Sequence, residues 1–156
     1  MFTLDIPGYK RLVIEHFVSD FSGTLAEDGI LLPGVREKLN ELSKIMHIHI
    51  VTSDTFGKAK KELAGVSCWL HMLEGPDHTR QKEEYIVNLG AGGVVSLGNG
   101  NNDVRMLQAS RLGIAVCLKE GYSVEAMEAA QIAVRSPIDA IDLFLFPNRL
   151  IATLRK

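Results

Sequence analysis

A chain of 156 residues, 46% hydrophobic and 23% charged, suits one domain, 1–156, that buries roughly 70% of its unfolded surface. A net charge of -2 with no basic block argues against nucleic acid or an anionic membrane as partner. No apolar run approaches the ~18 residues of a membrane span, and "MFTLDIPGYKR" lacks the charged start and apolar run of a signal peptide, so a cytoplasmic protein is expected.

In chain order, "LVIEHFVS" (12–19) reads as a buried strand. "AEDGILLPG" (26–34) reads as a small hairpin. "LPGVREKLNELSKI" (32–45) has helix spacing at Val35, Leu39 and Leu42 with Pro33 at its entry. "HIHIVT" (47–52) is a second strand, and its alternating His47 and His49 mark one strand face rather than a metal site. "TFGKAKKELAG" (55–65) is a short helix closed by Gly65. "VSCWLHML" (66–73) is a third strand in which Trp69 is expected to be buried. Cys68 and Cys117 are expected as buried, reduced thiols within strands, since neither has a disulfide or metal spacing.

After the loop "GPDHT", the segment 80–93 reads as a helix, "VVSLGNG" (94–100) as a strand running into a glycine loop, and 101–113 as a helix with Met106 and Leu107 in the core. "IAVCL" (114–118) is a strand, 123–130 a helix and "IAV" (132–134) a short strand. The remainder is helical with a break at Pro147. Strands alternating with helices predict an α/β protein with a mostly parallel sheet and helices on both faces. Such sheets bind ligands beyond the carboxyl ends of their strands.

The polar residues at those ends form a set. Asp20 is a carboxylate at a strand-to-loop turn, followed by Gly23 and Thr24, where backbone can approach an anion. Thr52 and Ser53 offer hydroxyls and N–H groups at the next strand end. Lys82 offers a cation; Asn99, Asn102 and Asp103 offer oxygens on a glycine loop. One carboxylate nucleophile, one cation, hydroxyl donors and hard oxygen ligands suit phosphoryl transfer with room for Mg2+.

These residues carry a resemblance. "DFSGT" resembles the first motif of the haloacid dehalogenase (HAD) superfamily, Asp-x-Asp-Gly-Thr, and "IVTSDT" resembles its second. "QKEEYIVNLGAGGVVSLGNGNNDVRML" is similar to motifs three and four as they run in P-type ATPases, and "GIAVCLKEGYSVEAMEAAQIAV" to the segment that follows there. The subgroup resembled is the small soluble P-type ATPase-like proteins, and the likeness covers about residues 12 to 145. It implies a Rossmann-like core. Only 31 residues lie between Asp20 and Thr52, which leaves no room for a cap domain, so a capless core with a small flap (about 24–34) is expected. A neighbouring subunit is one way such a core gains a lid, hence the expectation of a homo-oligomer.

By position, the resemblance makes Asp20 the nucleophile that becomes an aspartyl-phosphate. Ser22 stands where phosphatases keep a general acid/base Asp. Thr52 would bind the transferring phosphoryl oxygens and Lys82 would neutralise their charge; Gly23, Thr24, Ser53 and Asn102 would complete the phosphate site. Asp20, the Ser22 carbonyl, Asn99 and Asp103 would hold Mg2+. The implied partner is a phosphorylated small molecule or phosphoprotein.

Two positions depart from the pattern. A serine at 22 is a poor general acid, and acid–base help is worth ~10²–10⁴-fold. Slow turnover of simple monoesters is therefore expected, with activated donors favoured. Asn99 keeps a carbonyl oxygen but no charge, which weakens a hard-cation site. The alternative is a non-catalytic phospholigand- or Mg2+-binding regulatory protein on the same fold. The bland readings are a turn or cap for Asp20, helix capping by Thr52, Ser53 or Asp54, a solvated Lys82 and a surface His78.

Overall fold

The computed structural model describes residues 1–54 and 57–156; the start of the predicted 55–65 helix, Thr55 and Phe56, lies outside the described residues. Ten strands are described: β1 (Phe2–Asp5), β2 (Arg11–Ile14), β3 (His16–Ser19), β4 (Ala26–Glu27), β5 (Ile30–Leu31), β6 (His47–Thr52), β7 (Trp69–Met72), β8 (Val94–Gly98), β9 (Leu112–Val116) and β10 (Ile132–Val134). The α-helices are α1 (Val35–Leu42), α2 (Lys58–Glu62), α3 (His78–Leu89), α4 (Val104–Ala109), α5 (Val124–Ala129), α6 (Pro137–Leu145) and α7 (Pro147–Leu154).

Six strands form one sheet in the order β10-β9-β8-β3-β6-β7, and every pair in it is parallel. Strand residues alternate between its two faces, as the pleat requires. Phe17, Ile48, Ile50, Val95 and Leu97 pack in the larger core with α1, α6 and α7 residues. Val18, Val51 and Val94 turn the other way, against Ile86 of α3 and Met106 of α4. Met106 and Leu107 are fully buried, as their spacing predicts.

The predicted strand 12–19 is two elements. β2 pairs antiparallel with β1, while β3 enters the main sheet. The N-terminal hairpin turns at Ile6–Tyr9, where the Tyr9 N–H donates to the Ile6 carbonyl (3.1 Å). Gly8 supplies the φ of 71° that a turn of this kind needs after Pro7. The segment 26–34 does form a hairpin, β4–β5.

Two burial expectations are corrected. Trp69 is 56% exposed, because β7 is an edge strand of the sheet. Cys68 and Cys117 are half-buried and lie just outside β7 and β9.

Towards the amino end of the sheet, histidines gather. His16 Nδ1 and His49 Nε2 are 3.0 Å apart, and His49 Nδ1 lies 2.8 Å from the Tyr85 hydroxyl on α3. His49 also stacks on Trp69, with ring centroids 5.1 Å apart. Burial, then the neighbouring His16 and His47, lowers His49 to a pKa of about 4. His16 is lowered by burial first and His47 second. Among the described residues no group of three or more His, Cys, Asp or Glu side chains is arranged to hold a metal ion. No helix among them is long and apolar enough to cross a membrane.

Candidate active site

The chain runs from β3 outward to β6 and β7 on one side, then returns to β8, β9 and β10 on the other. The order reverses between β3 and β8, and this is where a parallel sheet opens a crevice beyond its carboxyl ends. Asp20 follows β3 and Asn99 follows β8, one on each side of that crevice. The Asp20 N–H donates to the Leu97 carbonyl (3.0 Å), so the main chain sets the height of Asp20 against β8.

Three charged side chains meet there. Lys82 Nζ donates to Asp20 Oδ1 (2.9 Å) and to Asp103 Oδ1 (2.7 Å). Asp103 has no exposure at all, and the Lys82 side chain has 2%. Asp20 keeps 11% of its side chain accessible and is the member that faces outward. The other Asp103 oxygen accepts from the Asn99 N–H (2.9 Å) and the Gly100 N–H (3.0 Å), which fixes the glycine loop. Gly98 makes this possible, since a Cβ there would stand 2.5 Å from Asp103 Cγ.

The cluster carries two negative charges and one positive. Burial, then repulsion from Asp103, raises Asp20 to a pKa of about 7, and Lys82 offsets only part of this. Burial works to lower the Lys82 pKa, but the pull of Asp20 and Asp103 outweighs it and the net shift is upward.

Thr24 is fully buried. Its hydroxyl donates to Asn99 Oδ1 (3.2 Å) and lies 3.5 Å from Asp20 Oδ2, the oxygen Lys82 leaves free. Asn99 Nδ2 donates in the opposite direction, to the Gly121 carbonyl (3.2 Å). Asp20 Oδ2 and Asn99 Oδ1 thus face one point from two strands. Gly23 has φ 75°, and a Cβ there would collide with Glu120 Oε2 and approach Asn99 Nδ2 to 2.8 Å.

Thr52, buried at the end of β6, and Ser53 line a cavity of about 290 Å³ together with Ser22, Asp54 and Lys58. Ser22 is exposed. Asn102 is exposed and takes no part in the buried network. Asp54 Oδ2 accepts from the Ala59 N–H of α2 (2.6 Å). Asn102 apart, the predicted residues therefore gather at a carboxylate–lysine–carboxylate cluster and an adjoining hydroxyl-lined cavity. Sequence reasoning missed Glu120 and Lys58, which enter from a turn and a helix with no strand-end signal of their own. His78 is half-buried at the start of α3 and lines a neighbouring cavity with Ser53 and Asp54.

No family model matches the chain. It is 28% identical over 142 residues to a soluble P-type ATPase-like phosphatase of Methanocaldococcus jannaschii, covering 87% of this chain and 51% of that one. This chain therefore spans about half the length of that relative. An uncharacterized protein of the same organism is 42% identical over 62 residues, 40% of this chain and 67% of that one. Among solved structures, the 3-deoxy-D-manno-octulosonate 8-phosphate phosphatase of Moraxella catarrhalis, in complex with magnesium, phosphate and its sugar acid, superimposes with TM-score 0.69 at 14% identity, covering 91% and 94% of the two chains. The cobalt-bound enzyme of the same name from Haemophilus influenzae gives 0.69 at 12% identity, covering 85% and 87%. A protein of Legionella pneumophila assigned to subfamily III A of the HAD superfamily of hydrolases gives 0.68 at 14% identity, covering 90% and 87%.

Proposed function

We propose, for a chain whose fold is that of the haloacid dehalogenase superfamily, that it is a Mg2+-dependent phosphohydrolase or phosphotransferase in which Asp20 is the nucleophile. The observation that carries this reading is the Asp20–Lys82–Asp103 cluster at the crevice. Lys82 grips Asp20 Oδ1 and leaves Oδ2 with the Thr24 hydroxyl 3.5 Å away, and the Asp20 side chain keeps some exposure to the crevice. A carboxylate held at one oxygen and open at the other is aimed as a nucleophile.

The donors suit a hard cation. Burial raises Asp20 to about 7, and the cluster's one surplus negative charge adds to that. Asp20 Oδ2 and Asn99 Oδ1 converge on the Thr24 hydroxyl from two strands. The Asp20 carboxylate, the Asn99 side-chain carbonyl and the Ser22 carbonyl would hold Mg2+, which leaves Oδ2 for phosphorus. Asp103, both of whose oxygens already accept hydrogen bonds, would serve the site through Lys82 and the loop it fixes. A bound divalent cation supplies charge neutralisation to both the nucleophile and the phosphoryl oxygens.

In the forward step Asp20 Oδ2 bonds to phosphorus as the bond to the leaving oxygen breaks. Lys82 stays on Oδ1 and balances the charge gathering on the phosphoryl oxygens. The Thr52 hydroxyl at the β6 end would donate to one of those oxygens. The Ser22 hydroxyl is too weak an acid to protonate a leaving group, so one that departs as a stable anion is favoured. In the second step water attacks phosphorus as the bond to Asp20 Oδ2 breaks and the carboxylate is restored; with no carboxylate at position 22 to take the water's proton, it passes to the departing phosphate, and the step is slow. The substrate class is a phosphorylated small molecule or phosphoprotein, in keeping with the phosphatases that share the fold.

Intact-mass spectrometry after incubation with Mg2+ and acetyl phosphate tests the reading. A phosphate adduct is expected on the native protein and not on Asp20→Asn. Its absence, with no turnover in a generic phosphatase assay, would leave the second reading, a phospholigand- or Mg2+-binding regulator. That reading draws on one specific feature, the lack of a carboxylate at both Ser22 and Asn99. Mg2+ is also expected to raise the Tm of the native protein and to do so much less for Asp20→Asn.

A further inference from the structure

We propose that Lys58 selects the substrate by binding a second anionic group, a carboxylate or a second phosphate, carried on the same molecule as the transferring phosphoryl. This rests on the phosphoryl-transfer reading above and names the class of substrate it acts upon.

The cavity beside Asp20 is lined from four places: Ser22 from the nucleophile loop, Gly29 from the flap turn, Thr52, Ser53 and Asp54 from the end of β6 and just beyond it, and Lys58 from α2. Its volume of about 290 Å³ corresponds to roughly ten waters, more than a single phosphoryl group fills.

Lys58 is exposed, and its chain is braced against the flap. Its chain lies across Gly29, where a Cβ would come within 2.7 Å of Lys58 Cδ and 3.3 Å of Nζ. Gly29 has φ 79°, so the flap turn favours glycine there and the groove for the lysine follows from it. α2 is in turn fixed to the flap, since the Leu31 N–H donates to Glu62 Oε2 (3.1 Å).

The ammonium has no ion pair among the described residues. The acids on either side of it in sequence are engaged with main-chain groups, Asp54 with the Ala59 N–H and Glu62 with the Leu31 N–H. Other lysines near the site have carboxylates: Lys82 has two and Lys119 has Glu27 (3.3 Å). Lys58 makes no ion pair or hydrogen bond among the described residues. Asp54 lines the same cavity but is turned to the Ala59 N–H and forms no ion pair with Lys58, so this cation, next to hydroxyl donors, is open to an anion. The transferring phosphoryl already has Lys82 and the Thr52 hydroxyl, so the group Lys58 reads is a different one.

The test measures the rate of adduct formation on Asp20 from three donors: acetyl phosphate, which has no second anion, phosphoenolpyruvate, which adds a carboxylate, and pyrophosphate, which adds a phosphate. Lys58→Gln is expected to raise the half-saturating concentration of phosphoenolpyruvate, pyrophosphate or both about tenfold. Acetyl phosphate should stay within about twofold, and Lys58→Arg should keep most of the native preference. Which of the two donors responds identifies the second anion. The difference should shrink as salt rises, because the cavity is open to solvent. Equal slowing with all three donors would place Lys58 on the transferring phosphoryl, and no change with any would make it a solvated lysine; either result overturns the proposal while leaving Asp20 intact. No adduct from any donor on the native protein would overturn the Asp20 reading itself and this proposal with it.

Discussion

The same strands carry two buried titratable clusters of opposite character. Beyond the carboxyl ends, Asp20, Lys82 and Asp103 hold a net negative charge, and Asp20 is pushed up to about 7. Towards the amino ends, His16, His49 and Tyr85 form an uncharged chain, and His49 is pushed down to about 4. Burial is the first cause in both places, and like-charge repulsion the second. The lesson is that one physical penalty, charge away from water, gives opposite pH behaviour depending on which protonation state is charged.

The signs follow by linkage. Native Asp20 binds its proton more tightly than the unfolded chain does, so stability falls as pH rises from about 4 to about 7. Native His49 and His16 bind theirs less tightly, so stability falls as pH drops from about 6.5 to about 4. The two ends therefore oppose each other across mildly acidic pH.

The largest expected break in this balance is Lys82→Met. It leaves two buried carboxylates facing each other without their cation and should cost about 3–5 kcal/mol in urea unfolding at pH 8. The loss should shrink on acidification, as the pair takes up a proton. Asp20→Asn goes the other way. It removes the surplus charge and should stabilise the metal-free protein by about 2 kcal/mol at pH 8, with the gain vanishing near pH 4.

Asn99→Asp sharpens the carboxylate end further. The Asn99 amide donates to the Gly121 carbonyl and lies beside the Glu120 carboxylate, so an aspartate would meet an acceptor and a like charge. A loss of about 1–2 kcal/mol is expected. Adding Glu120→Gln should recover part of it in a double-mutant cycle of urea midpoints. The smallest effect is at the other end. His49→Gln should flatten the acid limb of the stability profile between pH 6.5 and 4 by about 1 kcal/mol, leaving the limb above pH 7 unchanged.

Much of the carboxylate end is legible in the sequence, because a parallel sheet delivers its strand-end residues to one crevice whatever the loops do. Asp20, Thr52 and Asn99 each follow an apolar run, and Lys82 and Asp103 sit at fixed offsets from such runs. The remainder depends on which strand lies at the edge and on how loops fold back. Trp69 sits in a recognisable strand, but its 56% exposure comes from the position of β7 in the sheet, which no local pattern encodes. Cys68 reads as strand by composition yet precedes β7. The N-terminal hairpin did have a signal, Pro7-Gly8, which marks a turn between two short alternating runs. Glu120 and Lys58 approach the crevice through tertiary contacts with Gly23 and Gly29, and the exchange of a side chain for space at a glycine leaves no trace in spacing. The geometry also explains Asn99 where the motif leads one to expect aspartate, since its nitrogen, and not an oxygen, faces Gly121.

Helix α3 is fastened at both clusters. Lys82 ties it to the β3 and β8 loops, and Tyr85, three residues on, ties it to His49 of β6. Opening this helix alone would strand an ammonium, two carboxylates and a buried imidazole at once. Its inner amide hydrogens should therefore exchange with deuterium only when the whole domain unfolds, while those of the short α2 exchange through local opening. The cavity wall that carries Lys58 can then breathe while the helix behind Asp20 stays fixed.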